Sequence, residues 1–146
     1  LSITDPEMTR FNITLDESVS MVLFALKNNL GGEIFVPKIP SYKILELAKA
    51  IGPKCKLEFI GIRQGEKIHE EMITSSDSFS TIDIGKYFVI LPANKNFFLQ
   101  YYGKKFSLKK VKKGFSYNSG INKVFLSKTD LRQLIKINID KNFTPF

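Results

Sequence analysis

The chain contains 146 residues, of which 43% are hydrophobic and 25% are charged, and its formal net charge is +8. This composition predicts a folded domain, because it supplies enough apolar residues to bury a core. We expect neither a membrane helix nor a signal peptide, since no run approaches about twenty apolar residues and the N-terminus lacks a basic start. We therefore expect a soluble, cytoplasmic protein.

The first predicted helix lies between Thr14 and Gly31. Thr14, followed three residues later by Glu17, forms a capping box, and Gly31 with Gly32 supplies a helix stop. Apolar residues recur within the helix at three- and four-residue steps, at Leu15, Val19, Val22, Leu26 and Leu30. This spacing places them on one face, which we expect to pack against the core.

A strand, a helix and a strand are predicted next. Residues 33–36 and 56–62 form the two strands. The helix between them is capped by Ser41 and ends at Gly52. Short connections predict a right-handed parallel βαβ unit, and ligands of open α/β sheets bind beyond the carboxyl ends of such strands. Arg63 is expected at that position.

The rest of the chain has a weaker pattern. Residues 66–73 predict a short helix, and residues 81–91 predict two short strands or one bent strand around Gly85. Residues 93–126 have no clear period and are expected to be irregular with one hairpin at most. A last helix is predicted over residues 127–137, with Ser127 as its cap.

We expect a single α/β domain over residues 1–146, because the chain shows no internal repeat and no linker. Its α/β part covers residues 1–91, and a basic closing segment covers residues 92–146 and contains the final helix. The chain begins at Leu1 within a predicted loop, so we expect it to be a piece of a longer protein.

The surplus of positive over negative charge lies entirely in the closing segment. Residues 1–91 contain ten Lys or Arg and twelve Asp or Glu, whereas residues 92–146 contain twelve and two. Within residues 101–115, six lysines alternate with four aromatic residues, a composition that surfaces for single-stranded nucleic acid share. Lysine predominates and no nucleic-acid motif occurs, which favours a solvated basic segment. A binding module for nucleic acid or an anionic surface stays open as the alternative.

The chain has few residues that could carry catalysis. One cysteine, Cys55, and one histidine, His69, form neither an internal disulfide nor a Cys/His zinc set, so we expect no metal site. We interpret His69 as a helix-surface side chain. Tyr101 and Lys105 have the spacing of a Tyr-x-x-x-Lys pair, but they lie in a basic stretch where that pair is out of place, and we interpret the spacing as a coincidence.

The strongest chemical signal follows the second predicted strand. A planar guanidinium at Arg63 can chelate phosphate oxygens, Gly65 lets a ligand approach the backbone, and Glu66 can accept hydrogen bonds from hydroxyls. Arg10, just before the first helix, could share the same diphosphate. This pattern points to a nucleotide sugar, although from spacing alone each arginine is equally compatible with a surface or structural role.

Four stretches, in this order, resemble the C-terminal part of the inverting UDP-N-acetylglucosamine 4,6-dehydratases, which are extended short-chain dehydrogenases. They are residues 4–11 (TDPEMTRF), 32–41 (GEIFVPKIPS), 61–72 (GIRQGEKIHEEM) and 114–122 (GFSYNSGIN), with Cys55-Lys56 before the third and Phe125-Leu126-Ser127 after the last. Several linked motifs in order are more specific than any one of them. Gln64 stands where the family usually has proline, and Gly120 and Phe125 replace the usual Asp and Trp.

The resemblance implies a lyase that uses NADP to remove water from a UDP-sugar. The product would be a 4-keto-6-deoxy nucleotide sugar, inverted at C5, for pseudaminic-acid-type glycans on flagella or cell surfaces. By resemblance, Arg10 and Arg63 hold the UDP pyrophosphate and Glu66 holds the uridine ribose. A retaining dehydratase or an epimerising relative stays open as the nearby alternative.

The chain lacks the Gly-rich turn of a dinucleotide-binding half. We therefore expect no catalytic residue here, with NADP and the catalytic groups on a missing N-terminal Rossmann half. The fragment alone is expected to be inactive, and the full-length protein is expected to be a homo-oligomer.

Overall fold

The computed structural model describes residues 1–93 and 95–146 of the chain. Its elements in the first half of the chain are β1 (Ser2–Ile3), β2 (Thr9–Phe11), α1 (Leu15–Asn28), β3 (Ile34–Pro37), β4 (Ser41–Lys43), α2 (Ile44–Ile51), β5 (Glu58–Phe59) and β6 (Glu71–Ile73). A short 3-10 helix (Asp77–Ser80), β7 (Thr81–Asp83), β8 (Tyr87–Ile90), α3 (Lys95–Lys105), β9 (Lys109–Lys110), β10 (Tyr117–Asn118) and α4 (Lys128–Asn138) follow. The fold is mixed α/β, as expected.

The described residues form two compact units. The first unit consists of residues 1–14, 39–70 and 118–146, and the second of residues 15–38 and 71–117. In the first unit, β1 pairs with β5 in parallel and β2 pairs with β4 in antiparallel fashion. Helix α2 packs against α4, and the Arg132 Nε donates a hydrogen bond to the Ala50 carbonyl (2.9 Å).

The second unit is built on an antiparallel four-stranded sheet in the order β3-β8-β7-β9. Strands β7 and β8 form a hairpin around Gly85, whose φ of +96° suits glycine in a tight turn. Helix α3 adds two side chains to the core, and α1 packs against the core through partly buried side chains. The core comprises Phe35, Ile82, Ile84, Tyr87, Val89, Leu91, Phe98 and Tyr102.

The first predicted helix is confirmed in its limits, but the face assigned to the core is wrong. Leu15 and Leu26 are 79% and 68% exposed. The helix instead packs through Met21, Phe24 and Ala25, on the other side. This helix has one aliphatic stripe and a second stripe that contains an aromatic residue. The second stripe is the buried one, because the Phe24 ring packs against the rings of Phe35 and Tyr87.

The predicted parallel βαβ unit is wrong. Strand β3 pairs with β8 in antiparallel fashion, and β5 pairs with β1, so the two predicted strands lie in different sheets. The β7–β8 hairpin gives β3 a partner in register, with Val36 opposite Phe88. Ser41 is not a helix cap, because it lies in β4 and α2 begins only at Ile44. Its backbone N–H donates a hydrogen bond to the Val124 carbonyl, and its carbonyl accepts one from the Leu126 N–H.

The predicted helix over residues 66–73 is also wrong. Strand β6 occupies its end and pairs with β10. In residues 93–126 the sequence interpretation missed α3, although Phe98 and Tyr102 lie four residues apart and are both buried. The last helix is confirmed, and Ser127 with Asp130 forms its capping box.

The described residues meet neither the requirements of a membrane-spanning helix nor those of a metal site. None of their helices combines the length and apolar character that crossing a membrane requires. Across residues 1–93 and 95–146, no three His, Cys, Asp or Glu side chains are grouped so that they could hold a metal ion.

Candidate functional site

The loop at residues 63–66 follows β5 and is held by its own hydrogen bonds. The Glu66 backbone N–H donates to the Arg63 carbonyl, and the Arg63 backbone N–H donates to Glu66 Oε2, both at 3.1 Å. Gly65, between them, has a φ of +84°, a conformation that side chains rarely adopt. The sequence therefore closes this loop locally, and the Arg63 side chain is not needed to brace it.

The Arg63 guanidinium is open to a ligand. Its side chain is 71% exposed, and its ion pair with Glu66 is long, with 3.9 Å between Nη1 and Oε1. Exposed pairs of this kind contribute about 0–1 kcal/mol, so an anionic ligand displaces them easily. A Cβ built on Gly65 meets no atom within 4 Å, which leaves room beside the loop.

Arg10 lies in β2 and is largely engaged by the protein. Its Nη1 donates hydrogen bonds to the carbonyls of Thr9 (2.6 Å) and Ile68 (3.2 Å), and its Nε lies 3.4 Å from Glu70 Oε1. The side chain is only 23% exposed. Arg10 is therefore fixed in one position, with fewer N–H groups left for a ligand than Arg63 has.

Tyr42 pairs with Arg10 across the β2–β4 ladder. Burial raises the pKa of the Tyr42 hydroxyl, and the positive charge of Arg10 opposes that rise. The phenol is therefore a neutral neighbour of the guanidinium and does not neutralise it.

The predicted site residues lie in the same unit, in two separate settings. Arg63 and Glu66 contact each other in one loop, whereas Arg10 contacts Ile68 and Glu70. Among the described residues, the two arginines share no hydrogen-bond or ion-pair partner. That both hold one diphosphate stays a prediction.

A polar cluster missed by the sequence interpretation lies beside Arg10. Thr9 Oγ1 lies 2.8 Å from His69 Nδ1 and 2.7 Å from Ser119 Oγ, and Ser119 Oγ accepts a hydrogen bond from the Glu70 backbone N–H (2.8 Å). Thr9 and Ser119 are buried. The cluster joins β2, residues 69–70 and the closing segment, and so fixes the backbone that carries Arg10.

His69 is therefore not a helix-surface side chain, and that expectation is wrong. Its ring faces the closing segment so closely that a Cβ at Gly120 would lie 2.7 Å from the ring. This contact explains why a residue without a side chain stands at position 120. The pattern Ser119-Gly120 within residues 114–122 was the available signal, but spacing alone does not reveal a contact over fifty residues.

The closing segment is anchored a second time by Asn122. Its Nδ2 donates to the Ile39 carbonyl (2.8 Å) and lies 3.0 Å from Ser41 Oγ. Residues 119–122 are therefore a structural clamp of the first unit, on the side that carries Arg10.

Tyr101 and Lys105 lie one turn apart on α3, and the Lys105 Nζ donates to Tyr101 Oη (3.2 Å). The neighbouring Tyr102 is buried and donates to Glu33 Oε1 (2.7 Å). Burial opposes ionisation of Glu33, but hydrogen bonds from the Leu30 N–H and the Tyr102 hydroxyl lower its pKa. These contacts stabilise the second unit.

The chain matches a family described as "Polysaccharide biosynthesis protein" over residues 1–92. It is 45% identical to two inverting UDP-N-acetylglucosamine 4,6-dehydratases of Campylobacter jejuni subsp. jejuni, over 92% of this chain and 42% of each relative. A UDP-glucose 4-epimerase of Rickettsia canadensis is 45% identical over 62% of this chain and 28% of the relative.

Among solved structures, the X-ray structure of Pen from Bacillus thuringiensis is similar, with a TM-score of 0.75 and 28% sequence identity. The similarity covers 95% of this chain and 40% of that one. The chain thus spans about two fifths of the length of the dehydratases and of this structure.

Proposed function

The chain belongs to the polysaccharide biosynthesis protein family, and on this premise we propose that it is the C-terminal, UDP-sugar-binding part of an inverting UDP-N-acetylglucosamine 4,6-dehydratase. The resemblance based on four motifs is confirmed by the 45% identity over 92% of the chain. The activity of the full-length enzyme, a lyase reaction on a nucleotide sugar, is part of the proposal.

The length of the matches favours a dehydratase over an epimerase. The identity to the Campylobacter jejuni dehydratases extends over 141 residues, whereas the identity to the Rickettsia epimerases extends over 94. The longer match takes in nearly the whole chain. We therefore infer that the closing segment, with its clamp at residues 119–122, belongs to the dehydratase type of site.

The exposed guanidinium on the self-supported 63–66 loop carries the proposal. A ligand that binds Arg63 need break only one long surface ion pair, because the backbone hydrogen bonds of the loop do not involve the guanidinium. A planar guanidinium matches two phosphate oxygens, and such charge-assisted hydrogen bonds contribute about 1.5–3 kcal/mol. We assign the UDP diphosphate to Arg63.

Glu66 and Arg10 complete the proposed set. Glu66 Oε2 is occupied by the Arg63 backbone N–H, so Oε1 is the oxygen that would accept a hydrogen bond from the uridine ribose. Arg10 would add positive charge from a fixed position, because Glu70 and the Thr9–Ser119 cluster hold it in place. Its contribution is expected to be smaller than that of Arg63.

The chain's own residues do not fit a bound NADP. A dinucleotide site needs a glycine-rich turn between a strand and the start of a helix. Within residues 1–93 and 95–146, the glycines with positive φ precede a strand or lie in the 61–65 loop. NADP and the catalytic acid and base would therefore lie on the part of the enzyme outside the match, and this chain alone would bind the substrate without converting it.

The finer assignments follow from this proposal. The full-length enzyme would use NADP, form a 4-keto-6-deoxy product for pseudaminic-acid-type glycans, act in the cytoplasm and assemble as a homo-oligomer.

Titration of the purified chain with UDP and with a single-stranded oligonucleotide, each at low and high salt, tests the function. We expect UDP to bind with a modest salt dependence, and the oligonucleotide to bind weakly, with binding lost at high salt because it depends on nonspecific charge. Oligonucleotide binding that persists at high salt, in the absence of UDP binding, would contradict the proposal and favour a nucleic-acid module.

A further inference from the structure

Helix α1 carries apolar side chains on two opposite faces. At about 100° per residue, Met21, Phe24 and Ala25 point to one side, and the remaining aliphatic residues cover an arc of about 100° on the other. We call this second set the outer face of α1; it comprises Leu15, Val19, Val22, Leu23 and Leu26. These side chains are between 50% and 79% exposed.

The second unit does not need the outer face for its own core. The inner face already holds the helix, since the Phe24 ring lies 4.5 Å from that of Tyr87 and 5.9 Å from that of Phe35, between ring centroids. Contiguous exposed apolar patches of this kind mark surfaces that another layer covers. A helix with two apolar faces is typical of an inner layer between two others.

The size of the outer face favours a partner in the same polypeptide. From the exposed fractions of Leu and Val, its five side chains expose on the order of 500 Å², below the roughly 800 Å² per partner that stable complexes bury. A covalently joined partner needs less, because its effective concentration reaches the millimolar range. About three fifths of each related dehydratase lies outside the match, which leaves ample chain to supply that partner.

We propose that the outer face of α1 is the docking surface for the dinucleotide-binding half of the full-length enzyme. This inference rests on the proposed function, because that half must lie close enough to bring its cofactor to the sugar bound by this chain. The dinucleotide-binding half would place an apolar layer of its sheet or helices against Leu15, Val22 and Leu26.

Photo-crosslinking in the intact Campylobacter jejuni dehydratase tests this docking surface. A photoreactive benzoylphenylalanine replaces the residue aligned with Leu26, and in a matched control it replaces the residue aligned with Ser20, which is exposed on α1 between the two faces. We expect the first position to crosslink, within a single chain, to peptides outside the matched region, and the control to give no such product. The 146-residue chain with the probe at Leu26 should give no crosslink.

Three results would overturn the proposal: a product with the mass of two chains, which indicates a second copy; a crosslink within the matched region; or no crosslink at either position. If the bulky probe prevents the enzyme from folding, the rate of cysteine labelling by maleimide provides a second measurement. A cysteine at the Leu26 position of the intact relative should react at least 100-fold more slowly with maleimide than one at the Ser20 position, and equal rates would also overturn it. UDP binding by this chain is measured separately, so a failed crosslink beside intact UDP binding refutes only the docking surface.

Discussion

Substituting Gly120 by Ala tests the contact between the closing segment and His69. The added Cβ would lie 2.7 Å from two ring atoms of His69, closer than real Cβ atoms come to their neighbours. Because the backbone of Gly120 has no positive φ, alanine is strained only by this contact. The ring must move away by about 0.7 Å to restore an ordinary van der Waals contact. If it moves along its hydrogen bond, the 2.8 Å distance between His69 Nδ1 and Thr9 Oγ1 grows to about 3.5 Å, and the hydrogen bond is lost.

We expect Gly120→Ala to lower the free energy of unfolding by about 1–3 kcal/mol, the range for overpacking in a well-packed site. Urea unfolding followed by circular dichroism measures the loss. In a His69→Ala background the ring is gone, so the same substitution should cost less than about 0.5 kcal/mol, which leaves a coupling energy of about 0.5 kcal/mol or more.

Gly103→Ala serves as a matched control, because a Cβ there meets no atom within 4 Å. It lies within α3 and should be neutral or stabilising by about 0.5–1 kcal/mol. Equal losses for Gly120→Ala with and without His69 would refute the assigned contact.

Two further predictions concern the second unit and the last helix. Glu33→Gln should lower the urea midpoint at pH 7, because the folded state lowers the Glu33 pKa and is therefore stabilised by the carboxylate above the ordinary value of 4.5. That advantage should vanish as the pH falls below 4.5, and a difference between the two proteins that is constant with pH would contradict the assignment. Ser127→Ala should cost about 1 kcal/mol in the same assay, because it removes the side chain that caps α4 and accepts from the Asp130 N–H; an unchanged midpoint would contradict a stabilising cap.

Local signals predicted the helices that have clear ends. The Thr14-x-x-Glu17 capping pattern, the predicted cap at Ser127 and the glycines after α1 and α2 lie within a few residues of the helix limits. Which face of α1 is buried could not be predicted, because periodicity gives two apolar stripes and only tertiary contact with Phe35 and Tyr87 chooses between them.

Strand pairing lay beyond the sequence for a related reason. Residues 33–36 were predicted as a strand, but their partner β8 lies about fifty residues away, and a local strand–helix–strand order suggested the wrong one. Helix α3 was missed because Gly103 and a run of aromatic and basic residues obscure its period.

The candidate site was predictable in its exposed part and not in its buried part. Arg63, Gly65 and Glu66 are adjacent in sequence, so one loop brings them together. The Thr9–His69–Ser119 cluster joins three distant segments, and the contacts that restrain Arg10 follow from that fold.

The central claim is that Arg63 binds the diphosphate of a UDP-sugar. Calorimetric titration of UDP into the wild-type chain, Arg63→Ala and Lys110→Ala tests it most directly, since Lys110 is an exposed cation of the basic segment. We expect Arg63→Ala to weaken binding at least about 10-fold, the equivalent of 1.4 kcal/mol, and Lys110→Ala to leave it within about twofold. Equal effects of the two substitutions would contradict the account.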